Sequence, residues 1–349
     1  MPDLGHDSTP TTHRGPTQSL TYSRKGSLPT VKPRFSIVIP THNRPDLLRS
    51  CLNSLFRYAP AGTEIIVVDD GSCQGRCSAA AREFAGVQVL RGPRRQGFCA
   101  AANAGIRAAR GAIVELLNDD TEVAPGWAEA ALACFNDPKV AAVAPLVLRP
   151  GRDTEGTLEI DSAGDRYYVG GVAGKRGHGQ ALAATYLQPC RVFGASASSG
   201  FYRRDVLLRV GAFPSSFGAY FEDVDLAFRI HRAGFRILFQ PRSRVFHHGA
   251  ESYGSSGRRL LEQQSRNEER VFWRNLPMQA WPAAMPRHAA VLVAKAWRRW
   301  KEGNLIPFLC GRLRVLGEVA DLVGHRRFLK QIGPSNNCLG WQVEPQFWG

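Results

Sequence analysis

The chain lacks the long apolar runs that a membrane span requires. Nowhere in it do about 18 uncharged apolar residues follow one another. Residues 1–34 contain no apolar stretch of the signal-peptide kind, and their Ser, Thr, Pro and Gly read as a disordered leader. The motif GxxxxGK[ST] is missing, which excludes a P-loop, and PRRQGF carries no GxGxxG, which argues against a dinucleotide Rossmann site. Eight cysteines are scattered, and Cys73 and Cys77 have no second pair to complete a zinc site. Dispersed cysteines suit a reducing cytosol. Internal repeats are absent. Acid is in short supply: 30 Asp and Glu face 45 Lys and Arg, for a net charge of +15. The leader carries +3, residues 35–257 carry +4, and the tail from Arg258 carries +8. The basic excess therefore belongs mainly to the C-terminal quarter. No nucleic-acid motif accompanies it, so nucleic acid is not expected as a partner.

What is present is alternation. FSIVIP (35–40) and EIIVVDDGS (64–72) are apolar runs that predict buried strands. Between them Pro45 opens a helix with Leu47, Leu48, Cys51, Leu52, Leu55 and Phe56 on one face. A helix near 77–85, the strand VQVL (87–90), a helix over 98–110 and the strand AIVELLNDD (112–120) follow. Strands apolar throughout, separated by amphipathic helices, predict a mainly parallel sheet covered on both faces. A helix after Trp127 leads to VAAVAPLVLRP, a further strand. Residues 151–190 are glycine-rich, with a hairpin expected around RYYVGGV, and their residues reveal no role. FGASASSGFYRRDVLLRVGAF then predicts a small-residue strand, a basic turn and a short helix. RILFQPRSRVFHHGAES closes the domain with two short strands and a His pair.

In such sheets ligands bind outside the carboxyl ends of the strands. Those ends carry Thr41, His42 and Asn43, then Asp69, Asp70 and Gly71, then Asn118, Asp119 and Asp120. Acidic groups at a strand end hold Mg²⁺ or Mn²⁺ through carboxylate oxygens, and such an ion bridges to substrate phosphates. His247 offers a nitrogen ligand or a structural imidazole. Downstream, FEDVDLAFRI places Glu222, Asp223 and Asp225 at the head of an amphipathic helix. They complement the helix dipole, at about 0.3–1 kcal/mol each, or one of them takes a proton from a nucleophile.

These residues carry a family resemblance. PTHNRPDLLRSCLNSL, EIIVVDDGS, RRQGFCAAANAGIRAARGAIVELLNDDTEVAPGW, GAYFEDVDLAFRIHRAGFRI and VFHHGAES, in that order, resemble the inverting family-2 glycosyltransferases. Within them the match is closest to bacterial rhamnosyltransferase-like members that build cell-surface polysaccharides, over about residues 34–275. The resemblance implies a GT-A-type α/β fold, a nucleotide-sugar donor and Mn²⁺ or Mg²⁺. By position it implies that Thr41 and Asn43 receive the nucleotide and that Asp70 bonds its base. Arg95 would meet the diphosphate, and Gly97 and Asn103 fall in the segment that closes over the donor. Asn118, Asp119 and Asp120 stand at the DXD motif, with Asp120 the metal ligand. Asn118 replaces the first Asp, where its amide can bond a ribose hydroxyl. Glu222 and Asp223 match the ED pair, with Asp223 the base. His247, rather than His248, matches the metal-ligand histidine.

Three segments are expected: the leader (1–34), a catalytic domain (35–257) and a basic, amphipathic helical extension (258–349). PRHAAVLVAKAWRRW (286–300) puts Ala289, Leu292, Val293, Ala296, Trp297 and Trp300 on one face amid Arg and Lys. Residues 305–323 offer a second such face, with Leu305, Leu309, Leu313, Leu316 and Ala320. Both suit an anionic bilayer surface, or ordinary packing on the domain or on another subunit. The expected function is metal-dependent inverting transfer of a sugar to a hydroxyl of a glycan or lipid-linked glycan, in cell-surface polysaccharide synthesis. The enzyme would be cytoplasmic and peripheral on the inner face of the plasma membrane. A catalytically inactive sugar-binding or scaffold member of the same family is the rival reading, hinted at by Asn118. A sugar nucleotidyltransferase is a further one, although PTHNRPD lacks that class's glycine-rich basic loop.

Overall fold

The computed structural model describes residues 23–25, 35–150, 158–249, 257–333 and 343–347. Most of the expected leader therefore lies outside the described residues. The exception is Ser23–Lys25 (β1), which departs from the expected disorder by pairing antiparallel with a sheet edge and covering its free backbone groups.

The first half of the body runs β2 (Phe35–Thr41), α1 (Pro45–Tyr58), β3 (Glu64–Asp69), α2 (Arg76–Arg82), β4 (Gln88–Arg91), α3 (Phe98–Ala108) and β5 (Ile113–Leu117). Then come β6 (Thr121–Val123), α4 (Trp127–Ala133), β7 (Val140–Pro150), β8 (Leu158–Ser162), β9 (Asp165–Tyr168) and β10 (Val172–Lys175). After β11 (Cys190–Arg191), β12 (Ser199–Arg203), α5 (Arg204–Arg209), α6 (Glu222–Arg232) and β13 (Arg236–His247) the chain turns helical. Those helices are α7 (Arg258–Asn275), α8 (Trp281–Lys301), α9 (Leu305–Arg314) and α10 (Val319–Ile332), followed by β14 (Val343–Glu344).

The main sheet is ordered β1-β4-β3-β2-β5-β12-β7-β13-β11, with β6 and β8 attached to β13 and β7. From β4 to β5 it is parallel, as the apolar runs predict, and its longest ladders, β7 with β13 and β2 with β3, are parallel too. β12 runs antiparallel between β5 and β7. Along β2, Ile37 and Ile39 pack with Leu48, Leu52 and Leu55 of α1, while Val38 points to the opposite core with Ala101 and Ile106 of α3. Both faces of each strand are thus dry, which is why the sequence reads apolar without alternation. α3 lies close on the sheet because Gly105 has no side chain: a Cβ there would sit 2.2 Å from Val38 Cγ1.

The stretch that the sequence left without a role is the pair of hairpins around β8, β9 and β10. β8 pairs with β7, and β9 forms a second small sheet with β10 and with β14 from the chain's far end. The boundary expected near 257 is no seam either. Val271 and Phe272 of α7 are fully buried, and Arg274 and Asn275 bond Asp225 of α6. Among the described residues, no helix is long and apolar enough to cross a membrane.

Candidate active site

At the end of β2 the chain must leave the sheet sharply. Asn43 does so in the left-handed region (φ 57°), its backbone N–H donating to Ser72 Oγ at 2.9 Å and its Oδ1 accepting from Cys73 N–H at 2.7 Å. The first two strand-end loops are thereby stapled together. Thr41 is buried beneath them and donates to Asp119 Oδ2 at 2.7 Å. Asp70, at the end of β3, spends both carboxylate oxygens on backbone N–H groups, Gln96 and Gly97, each at 2.8 Å. Burial still holds its pKa above the ordinary value. In this structure Asp70 fixes the loop that leads into α3. Gly71 makes room for that loop, since a Cβ there would lie 2.5 Å from the Arg94 carbonyl carbon.

Arg95 and Gly97 from this loop line a cavity of about 290 Å³ with Tyr220 and with Arg259 and Gln263 of α7. Asn103 is not part of it. Its amide donates to Phe213 O at 2.7 Å and accepts from Phe213 N–H at 3.0 Å. Both ends of this buried side chain clamp a turn 110 residues away.

After β5 the chain places Asn118, half-buried, and then two buried aspartates. Arg44, from the loop after β2, forms ion pairs with both Asp119 and Asp120. Burial raises the Asp119 pKa to about 6 against the pull of Arg44 and Thr41. Asp120 behaves oppositely: burial would raise it, but His247 and Arg44 hold it below its ordinary value. β13 brings His247 opposite Thr121 of β6, and its Nε2 lies 3.3 Å from Asp120 Oδ1. His248 points away and meets Glu122 instead. The histidine beside Asp120 is thus His247.

Asp120 Oδ1 and His247 Nε2 are both buried and face each other, with no other hydrogen-bond partner. Adjacent ligands of an octahedral ion with bonds of about 2.0–2.1 Å stand roughly 3 Å apart, close to the separation found. An imidazole nitrogen and a carboxylate oxygen at that spacing fit Mn²⁺ or Mg²⁺ completed by phosphate oxygens and water, the ion displacing the proton that the two groups otherwise share. Among the described residues no group of three or more His, Cys, Asp and Glu is placed to hold a metal ion.

Behind His247 stands a residue that the sequence did not betray. Asp161 of β8 meets His247 Nδ1 at 3.2 Å and Lys175 Nζ of β10 at 2.8 Å. Burial would lower the His247 pKa, but the two flanking carboxylates raise it to about 9. A carboxylate on the far ring nitrogen fixes the tautomer and orientation of an imidazole that ligates through the near one.

The acidic stretch divides into three roles. Tyr220 and Phe221 both adopt left-handed backbone (φ 71° and 66°) immediately before the head of α6. Glu222 is buried, with Oε2 unpartnered, and burial beside Asp223 pushes its pKa well up. Asp223 is half-buried and aimed by two backbone donors, Ala197 N–H at 3.0 Å and Val224 N–H at 2.8 Å. Burial raises its pKa, while those donors and Lys175 oppose the rise. Asp165 of β9, fully buried, is a third carboxylate here, raised by burial and by repulsion from Asp223. Asp225 is wholly internal, bonded to Arg229, Arg274 and Asn275.

Comparison with known proteins bears on the family and the fold. The family model described as Glycosyl transferase family 2 matches residues 36–211. An uncharacterized protein of Sinorhizobium fredii is 32% identical over 243 residues, covering 64% of this chain and 25% of that protein. The pre-mycofactocin glycosyltransferase of Mycobacterium tuberculosis is 31% identical over 216 residues, covering 61% of this chain and 42% of that one. The chain thus spans well under two thirds of either relative. The N-acetylglucosaminyl-diphospho-decaprenol L-rhamnosyltransferase of M. tuberculosis is 27% identical over 241 residues, covering 62% of this chain and 77% of that protein. Among solved structures, a Pyrobaculum calidifontis mannosyltransferase in complex with GDP-Man and Mn²⁺ superposes with a TM-score of 0.53 at 18% identity. That match covers 93% of this chain and 89% of the mannosyltransferase. GalNAc-T7 with UDP, GalNAc and Mn²⁺ gives 0.57 at 20% identity, covering 75% of this chain and 52% of its own. The fold is of the GT-A type.

Proposed function

Because the chain belongs to glycosyl transferase family 2, we propose that it transfers a sugar, with inversion, from a nucleotide-diphosphate sugar to a hydroxyl of a glycan or lipid-linked glycan. The observation that carries this reading is Asp223. It alone of its acidic trio reaches solvent, and two backbone N–H groups aim it. An acceptor hydroxyl is a weak nucleophile at neutral pH, and a carboxylate beneath it takes the proton as attack proceeds. A pKa held above that of an ordinary aspartate makes Asp223 a stronger base.

Thr41, Asn43 and Asp70 shape the first two strand-end loops, where the nucleotide would lie, and half-buried Asn118 follows β5 at the same edge of the sheet. Arg95 stands beside Gly97 to meet the diphosphate. Asp120 and His247 would hold Mn²⁺ or Mg²⁺, which would neutralise charge on the departing nucleoside diphosphate. Asp119, paired with Arg44 and bonded to Thr41, braces Asp120 rather than offering a free ligand. Asp161 keeps the His247 ring turned toward Asp120.

The test is a panel of UDP-, GDP- and dTDP-sugars with Mn²⁺, scored by thermal protection and hydrolysis. NMR would then give the anomeric configuration of the transferred sugar. One nucleotide sugar should protect and turn over, with inverted product. Retention of configuration, or protection by none of the panel, overturns the reading.

A further inference from the structure

The surface of the C-terminal helices carries an apolar face that the catalytic body leaves uncovered. On α8, Ala284 and His288 pack inward, His288 stacking on Phe272 of α7. Opposite them, Val293, Trp297 and Trp300 recur every three or four residues, each more than half exposed. On α9 the inner residues are Phe308 and Gly311, and the outer stripe is Ile306, Leu309 and Leu313. Leu316 and Val319 extend that stripe toward α10, all but Leu309 more than half exposed. Helices with an apolar face on each side are built to be covered twice. Isolated exposed apolar residues need no account, but stripes on consecutive helices mark an interaction surface.

Charge says what covers it. Lys301, Arg314, Arg327 and Lys330 are exposed on the same helices, and Lys301 lies over the Trp297 ring at 5.1 Å. Arg298 is likewise open to solvent, while Glu302 and Asp321 are the exposed acids between Trp281 and Ile332. The other acid of that span, Glu318, is turned inward on Arg266 and Arg270. A second copy of this chain is a poor partner, because a two-fold contact apposes the same cationic patch to itself. An anionic lipid surface is a good one. Tryptophan with neighbouring ammonium and guanidinium groups is the composition favoured at the headgroup level.

We propose that the face formed by α8, α9 and α10 docks on an anionic lipid bilayer, lying in its interface without crossing it. The chain is thereby peripheral to a membrane through its tail, independently of what its cleft transfers.

Co-sedimentation of the full chain with phosphatidylcholine vesicles, with and without phosphatidylglycerol, tests this. Binding should require the anionic lipid and weaken as salt rises. Each exposed cation removed (Lys301→Ala, Arg327→Ala, Lys330→Ala) should lower partitioning about fivefold at low ionic strength. Trp297→Ser with Trp300→Ser should abolish binding while leaving the melting temperature unchanged, since both side chains already face solvent. Equal binding to neutral and anionic vesicles, or no binding, overturns the proposal. So does a dimer in sedimentation equilibrium that the same tryptophan substitutions dissociate, which would make this face a subunit interface.

Discussion

Asp223 and Asp225 stand two positions apart on α6, yet their surroundings assign them opposite work. Asp223→Asn keeps shape and one acceptor but cannot take a proton. Turnover should fall by about 10²–10⁴-fold with donor affinity and melting temperature little changed. Asp225→Asn would leave Arg229 buried without its counter-charge, at a cost of about 3 kcal/mol of stability in denaturant titration. Equal losses of activity at unchanged stability in both variants would refute the division. Burial opposes the Asp225 charge, but Arg274 and Arg229 hold its pKa far below the ordinary range. Its contribution is therefore complete above the unfolded carboxylate pKa and vanishes only as pH falls through the folded value. Glu115, in the middle of β5, shows the reverse sign. Burial lifts its pKa from 4.5 to about 8, although Trp127 and Ser199 donate to it. Between those values the folded protein holds a proton that the unfolded chain has released, so stability should decline as pH rises through that window. Glu115→Gln should flatten the decline, read as denaturation midpoint against pH. Identical slopes in the two proteins would show that Glu115 does not hold that proton.

Elements explain which of these roles were legible. The strand-end polar groups of β2, β3 and β5 stand out because buried strands leave no other reason for acid beside apolar runs. The helix head of α6 is equally plain. Asn103 shows a role that the sequence does not carry, since only the fold brings Phe213 beside its amide. The hairpins were opaque for a different reason. Asp161 lies 86 residues from His247, and nothing local marks a carboxylate that pairing of β8 with β7 will carry to an imidazole on β13. That element supports the sharpest test of the metal reading. Asp161→Asn removes the charge behind His247 but keeps a hydrogen-bonding side chain there. Mn²⁺ affinity, measured calorimetrically with a nucleoside diphosphate present, should weaken about 10–100-fold, while the thermal transition of the metal-free protein shifts much less. Undiminished affinity would mean that His247 binds no cation or needs no orienting partner.

At the scale of the whole molecule, α7 joins the tail to the chemistry. Its Asn267 donates to the carbonyls of Phe217, Ala219 and Tyr220, the strained turn that presents Glu222 and Asp223. Its Gln263 holds two of the same carbonyls. The tail in turn neutralises α7. Glu268 and Glu269 are buried, and the basic side chains that meet them come from beyond it: Lys295 and His288 of α8 and Arg312 of α9. The tail is therefore no detachable anchor. A chain ending at Ala280 strands two buried carboxylates, and breaking a buried ion pair by removing one partner typically costs about 3–5 kcal/mol. It also uncovers Phe272, on which His288 stacks. Truncation should lower the denaturation midpoint sharply, and nucleotide-sugar binding should be lost with it because the turn before α6 loosens. Glu268→Gln with Glu269→Gln in the shortened chain should recover part of that stability, since neutral amides no longer need the missing cations. In the full-length protein the same pair of substitutions should destabilise, because Arg312 then loses both counter-charges. This opposite sign in two backgrounds is specific to charge pairing across the tail. A shortened chain that melts and binds donor like the full one would show that α8 to α10 do no more than decorate the catalytic body.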